Sequence, residues 1–155
     1  MTVDEQSDAL FMRRALACAE ATARRGEVPV GAVLTDAGGS ILAEAGNAPI
    51  ATHDATAHAE IIVLRTAGRL QQNYRLPGCT LYVTLEPCPM CASALVHARI
   101  ARIVFAAQDP KTGACGSVFD LTRNAHLNHQ IEITAGVLAD DAARLLMDFF
   151  EERRA

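Results

Sequence analysis

The apolar positions of this chain change period as the sequence proceeds, and each change marks a new element. Over residues 8–25, Leu10, Phe11, Ala15, Leu16 and Ala19 recur at helical spacing. Arg24 and Arg25 suit the last turn of that helix, and Gly26 suits its stop. The stretches "VPVGAVLT" and "SILAEAG" then read as two short strands, with "DAGG" between them as a hairpin signal. "NAPIATHD" reads as a loop broken at Pro49, and a second helix is expected from about Thr56 through "AHAEIIVLRTAG" to Gly68. A third strand covers residues 80–85 and a third helix residues 89–98. "ARIVFAA" reads as a fourth strand and "QIEITAGVL" as a candidate fifth. "DDAARLLMDFFEERR" closes the chain as a helix, acidic at its start and basic at its end, as the helix dipole favours.

Helices alternate with strands after an opening hairpin. That order predicts an α/β fold with a mixed five-stranded sheet covered by helices on both faces, a three-layer α/β/α arrangement. Neither a repeat nor a linker divides the sequence, so one domain over residues 1–155 is expected. Residues 107–129 form the longest irregular stretch. A long, glycine-containing loop in a compact domain is usually functional.

Composition narrows the classes. Half the residues are apolar and 21% are charged, which excludes a disordered chain. No apolar run is long enough to span a bilayer, and "MTVDEQSD" is acidic where an export signal would be basic, so a cytoplasmic protein with no membrane association is expected. The net charge of −4 offers no general basic field, so any nucleic-acid contact must come from a local patch.

Five cysteines, an odd count, argue against a disulfide framework in such a chain. Cys18, within the first helix, reads as a small buried hydrophobe. Cys79 and Cys115, each beside a glycine, stay open. Cys88 and Cys91 in "PCPMC" lie three apart at a predicted helix start. Positions i and i+3 share a side of the first turn, and the positive end of a helix favours thiolates. Such a pair suits a redox couple, half of a structural zinc site or half of a catalytic one.

The second helix bears on that choice. "TAHAE" puts His58 and Glu60 at a helix start. Two apart, they point about 200° from each other in a regular helix. At the first turn, where the backbone is still half extended, both can address one point. His58, Cys88 and Cys91 then supply three ligands and leave a tetrahedral zinc one position for water, with Glu60 beside it as proton carrier.

These residues resemble a known signature, H-x-E…P-C-x-x-C, that of the zinc-dependent nucleobase deaminases. Within that group the chain is similar to the tRNA-specific adenosine deaminases of bacteria, from residue 9 to residue 153. The likeness runs through "VPVGAV", "GNAPI", "HDATAHAEI", "TLEPCPMCASALVHARI", "DPKTGACGS", "LNH" and "DFFEERR". It implies a cytidine-deaminase-like fold, one Zn2+ per subunit on His58, Cys88 and Cys91, and Glu60 as proton shuttle. The implied reaction is hydrolysis of adenosine to inosine at the wobble position of a tRNA anticodon stem-loop, by a homodimer to which "MCASALVHARI" is a candidate contributor.

The resemblance gives Asn47 a contact with the flipped nucleotide, where the residues alone allow a turn-forming Asn before Ala-Pro. Val30 and Leu85 are expected to line the base pocket, with core packing as the alternative. The N–H groups near Ala59 and Cys88 are candidate donors to the reacting centre. Glu86 either orients the ligand loop or caps the helix. Asp109 and Lys111, with Thr112, become candidate RNA contacts, against a plain reading as solvated loop charges. Arg153 and Arg154, after Phe149 and Phe150, are candidate phosphate and stacking contacts, or a frayed helix end. His53, His97, His126 and His129 are expected to be structural or substrate-adjacent.

Two rivals follow. A deaminase of free guanine or cytosine would share the zinc signature. A structural zinc module would need a fourth protein ligand, from Cys79, Cys115 or His97.

Overall fold

The computed structural model describes residues 2–154, so Met1 and Ala155 of the expected domain lie outside the described residues. Helix α1 spans Val3–Arg24 and starts five residues before the apolar stripe suggests. A capping box sets that start. The Thr2 hydroxyl accepts from the Glu5 N–H and the Glu5 carboxylate from the Thr2 N–H. Asp8, read as the helix start, is instead buried inside it and paired with Arg102 at 2.6 Å.

Strands β1 (Gly31–Thr35) and β2 (Ile41–Gly46) form the hairpin. Val28 to Val30 fall outside β1, which leaves Val30 at its entrance. A four-residue helix α2, Pro49–Thr52, interrupts the stretch read as loop, with His53 in the left-handed region at φ 52°. Helix α3 is Ala59–Gln71. It runs past Gly68, the expected stop. The left-handed residue is Gln72 (φ 52°), and the Asn73 N–H closes back onto the Gly68 carbonyl at 3.0 Å. Strand β3 is Thr80–Leu85, α4 is Pro89–His97, β4 is Arg102–Ala107, β5 is Glu132–Ala135 and α5 is Ala139–Arg154.

The sheet order is β2-β1-β3-β4-β5, antiparallel at the first two pairings and parallel at the last two. Alternation along the strands separates two cores. Ala32, Leu34, Leu81, Val83, Ile103 and Phe105 face α3 and α4. Val33, Tyr82 and Val104 face α1 and α5. This is the three-layer mixed sheet expected from the sequence.

The pairing also fixes where a site can form. Gly31 pairs with Gly46, Ala32 with Val83 and Leu85 with Ala107. The entrance of β1 and the exits of β2, β3 and β4 therefore share one end of the sheet, where open α/β sheets place their ligands. Glycine at 31 lets α1 lie close over that end, since a Cβ there would overlap the Ala15 carbonyl and come 2.7 Å from the Ala19 nitrogen. Both are helix backbone and cannot rotate aside. Gly31→Ala is expected to destabilise the chain by about 2 kcal/mol or more, read as a lower urea midpoint at unchanged m-value.

Candidate active site

Two loops leave the shared end of the sheet and each begins a helix. After β2 the chain passes Asn47 and α2, and His58 becomes the N-cap of α3 with extended dihedrals (φ −72°, ψ 153°). After β3 it passes Glu86 and Pro87, and Cys88 becomes the N-cap of α4 (φ −74°, ψ 172°), with Pro89 opening the helix. Neither cap residue makes a side-chain capping hydrogen bond. Both are free to face each other.

They meet with Cys91, one turn into α4. His58 Nδ1 lies 3.4 Å from Cys91 Sγ and 3.7 Å from Cys88 Sγ. Neighbouring ligands of a tetrahedral zinc stand roughly 3.5–3.8 Å apart, from bond lengths of about 2.3 Å to sulfur and 2.1 Å to nitrogen. The three side chains thus fit a zinc ion in both donor type and spacing. Among the described residues they form the group of possible metal ligands, with no fourth His, Cys, Asp or Glu joining them. Cys115 is buried and belongs to a bridge with Asp120, and Cys79 precedes β3 at the opposite end of that strand. His97 ends α4 and lines a separate groove with Tyr74. Among the described residues, the four-ligand closed site required by a structural zinc module is not formed.

Electrostatics at the trio favour a thiolate. The Cys88 thiol is drawn down to about 4, first by the hydrogen bond from Cys91 and then by His58, against the cost of burial. The Cys91 thiol moves the other way, because it donates to Cys88 and is buried. His58 is raised, chiefly by its hydrogen bond with Cys88.

Glu60 sits in the first turn of α3, 3% exposed. Burial pushes its carboxyl up to about 7, with the hydrogen bond from its own backbone N–H and the charge of His58 opposing. A cavity of about 460 Å³ opens over it. Val30, Asn47, His58, Glu60, Leu85, Cys88 and Asp109 all line this cavity, so the structure gathers most of the residues singled out from sequence.

Others are placed differently. The Ala59 N–H donates to Asn47 Oδ1 at 2.8 Å, so it is not free for a reacting group. Asn47 thereby ties the β2 exit to the start of α3, while its side chain still borders the cavity. Lys111 is exposed and outside the lining, with Thr112 inside it. The Asp109 carboxylate turns into its own loop, accepting from the Lys111 and Thr112 N–H groups at 2.9 and 3.2 Å and from the Thr112 hydroxyl at 3.1 Å. Arg153 lies over the Phe149 ring at 3.5 Å, and both border the cavity, whereas Arg154 is exposed at the helix end. His53 and His126 are exposed, and the His129 ring donates to the Ile100 carbonyl at 2.7 Å as a structural tie.

Sequence reasoning missed Glu27. It is 3% exposed and accepts from the N–H groups of Ile50 and Ala51 at 3.2 and 2.8 Å, fixing α2 as a wall of the cavity. Its one signal is an acidic residue directly before the apolar "VPVGAV".

The family model for the cytidine and deoxycytidylate deaminase zinc-binding region matches residues 5–107. The chain belongs to this zinc-binding deaminase family. A curated relative, the tRNA-specific adenosine deaminase of Haemophilus influenzae, is 50% identical over 98% of this chain and 88% of its own length. That of Bacillus subtilis is 44% identical over 99% of this chain and 92% of its own. A solved structure from a study of A-to-I editing by tRNA:A34 deaminases at the wobble position of transfer RNA superposes with a TM-score of 0.85. It is 43% identical and covers 88% of this chain and 99% of that one. The family's zinc thus has a matching set of side chains here in His58, Cys88 and Cys91.

Two outcomes follow from this geometry. Cys91→Ala leaves two ligands, so zinc per chain after dialysis against a weak chelator should fall to near zero, measured by atomic emission. The buried Glu60 carries a pH signature in the metal-free chain. Its carboxyl goes from 4.5 unfolded to about 7 folded, so the fold binds its proton more tightly and loses stability as pH rises through that window. At pH 8 metal-free Glu60→Gln should be more stable than the parent by on the order of 1–3 kcal/mol, a gain that vanishes near pH 4.

Proposed function

We propose that this chain hydrolyses adenosine to inosine at the wobble position of a tRNA anticodon loop. The observation that carries the reading is a three-ligand site, open on its fourth side, beneath a cavity lined by the buried carboxyl of Glu60. Full-length likeness to tRNA-specific adenosine deaminases supplies the substrate class.

In this reading His58, Cys88 and Cys91 hold one Zn2+. Bound there, the ion supplies a water acidified toward neutral pH. Glu60 accepts a proton from the attacking water, passes it to the ring nitrogen, and later helps protonate the departing ammonia. Buried in the first turn of α3 and bordering the cavity, its carboxylate is placed to carry a proton in both directions of transfer. Val30 and Leu85 wall the base between the β1 entrance and the β3 exit, and Asn47 holds the start of α3 while facing the nucleotide. The loop after β4 meets the RNA. There Asp109 shapes the turn, and Lys111, exposed beside it, offers a phosphate contact. Arg153 stacked on Phe149 adds a cationic, flat surface at the cavity edge.

A single-stranded loop suits such a pocket, because an unpaired base is turned out at low cost. The chain would act as one catalytic domain, as a homodimer and in the cytoplasm. Its described helices include none long and apolar enough to cross a membrane.

The test is inosine formation by zinc-loaded protein on an anticodon stem-loop with adenosine at the wobble position, beside free adenosine, guanine and cytosine. Inosine is expected in the stem-loop alone, and Glu60→Ala should slow it by at least about a hundredfold. Turnover of a free base without the stem-loop would replace this substrate with the other.

A further inference from the structure

Glu86 is 2% exposed and lies between the β3 exit and the Cys88 turn. It does not cap α4, since none of the hydrogen bonds to its carboxylate comes from that helix. Every donor to its carboxylate comes from the loop after β4. Oε1 accepts from the Asp109 N–H at 3.1 Å and the Ser117 hydroxyl at 2.5 Å. Oε2 accepts from the N–H groups of Cys115 and Ser117 at 3.0 and 3.1 Å. A carboxylate can accept about four such bonds, so this one is fully used by a single loop.

The backbone around it repeats the connection. The Glu86 N–H donates to the Ala107 carbonyl at 2.9 Å, and the Ala114 N–H to the Pro87 carbonyl at 2.8 Å. Gly113 crosses so close that a Cβ would stand 2.5 Å from Glu86 Cδ. Residues 109–117, the first part of the connection after β4 and without a helix or strand of their own, are therefore gathered on one buried side chain. That side chain sits two residues before a zinc ligand, and Asp109 and Thr112 from the same loop border the cavity.

We propose that Glu86 is a positioning residue for substrate, which holds residues 109–117 in register with the zinc turn so that the loop receives the nucleic-acid strand around the reacting base. This rests on the anticodon-loop reading above. Glu86 also borders the cavity, but both its carboxylate oxygens are taken up by the loop, so it acts through that loop and its loss weakens engagement of the strand more than the chemistry on it.

The experiment pairs two variants. Glu86→Gln replaces two acceptor oxygens with one and turns an NH2 toward backbone N–H groups. Ser117→Ala removes a single hydroxyl donor and leaves the rest. Zinc content, hydrogen exchange of the 109–117 amides, and KM and kcat on the stem-loop are measured for each against the parent. With zinc retained, Glu86→Gln should speed exchange across 109–117 and raise KM about tenfold or more, with kcat within about threefold. Ser117→Ala should move both in the same direction by less. Loss of zinc, a fall in kcat at constant KM, or unchanged exchange in Glu86→Gln would overturn the proposal. So would a Ser117→Ala protein identical to the parent if Glu86→Gln does not fold. Absence of inosine from the parent itself would strike the anticodon reading instead, and the exchange data would still decide whether Glu86 orders the loop.

Discussion

Two helices must begin at the same point for this site to exist. His58 and Cys88 each stand just outside a helix, in extended backbone, and their side chains come within 3.7 Å although 30 residues separate them. The sheet makes that meeting possible. Its first two pairings are antiparallel and its next is parallel, so the β1 entrance and the exits of β2 and β3 point the same way. The Asn47 amide then fixes the α3 start from the β2 side. The two helix N-termini also bring positive potential to the place where thiolates must be held.

Around that point three buried carboxyl groups divide the work by their partners. Glu27 accepts two backbone N–H groups of α2, and Glu86 accepts three from the loop after β4 together with a hydroxyl. Each fastens one wall of the cavity. Glu60 has no such set of loop donors, and burial holds its carboxyl at about 7. A carboxylate saturated with N–H donors is suited to holding a loop in place. One that burial keeps near neutrality is suited to carrying a proton.

Much of this was legible in the sequence because the signals were periodic or chemically specific. The strand cores showed as apolar runs, and the zinc side chains as a spacing few other sites need. The misses have local physical causes. The α1 start lay in polar residues because capping, rather than apolar periodicity, defines it. Gly68 looked like a stop but closes the helix from inside, through a carbonyl that receives the Asn73 N–H. Glu27 and Glu86 hold loops far from them in sequence, which no local pattern encodes. Lys111, singled out through the family resemblance, is exposed and stands outside the cavity lining, because the resemblance marks the loop and does not say which of its side chains face the cavity.

The central claim is a zinc held by two sulfurs and one imidazole, with its fourth side open to water. X-ray absorption at the zinc edge of the loaded protein tests it directly. Two sulfur neighbours at about 2.3 Å and two nitrogen or oxygen neighbours at about 2.0–2.1 Å, one of them exchangeable with an added anion, are the expected result. A third sulfur in the shell, or four ligands that no anion displaces, would contradict it and turn the centre into a structural one.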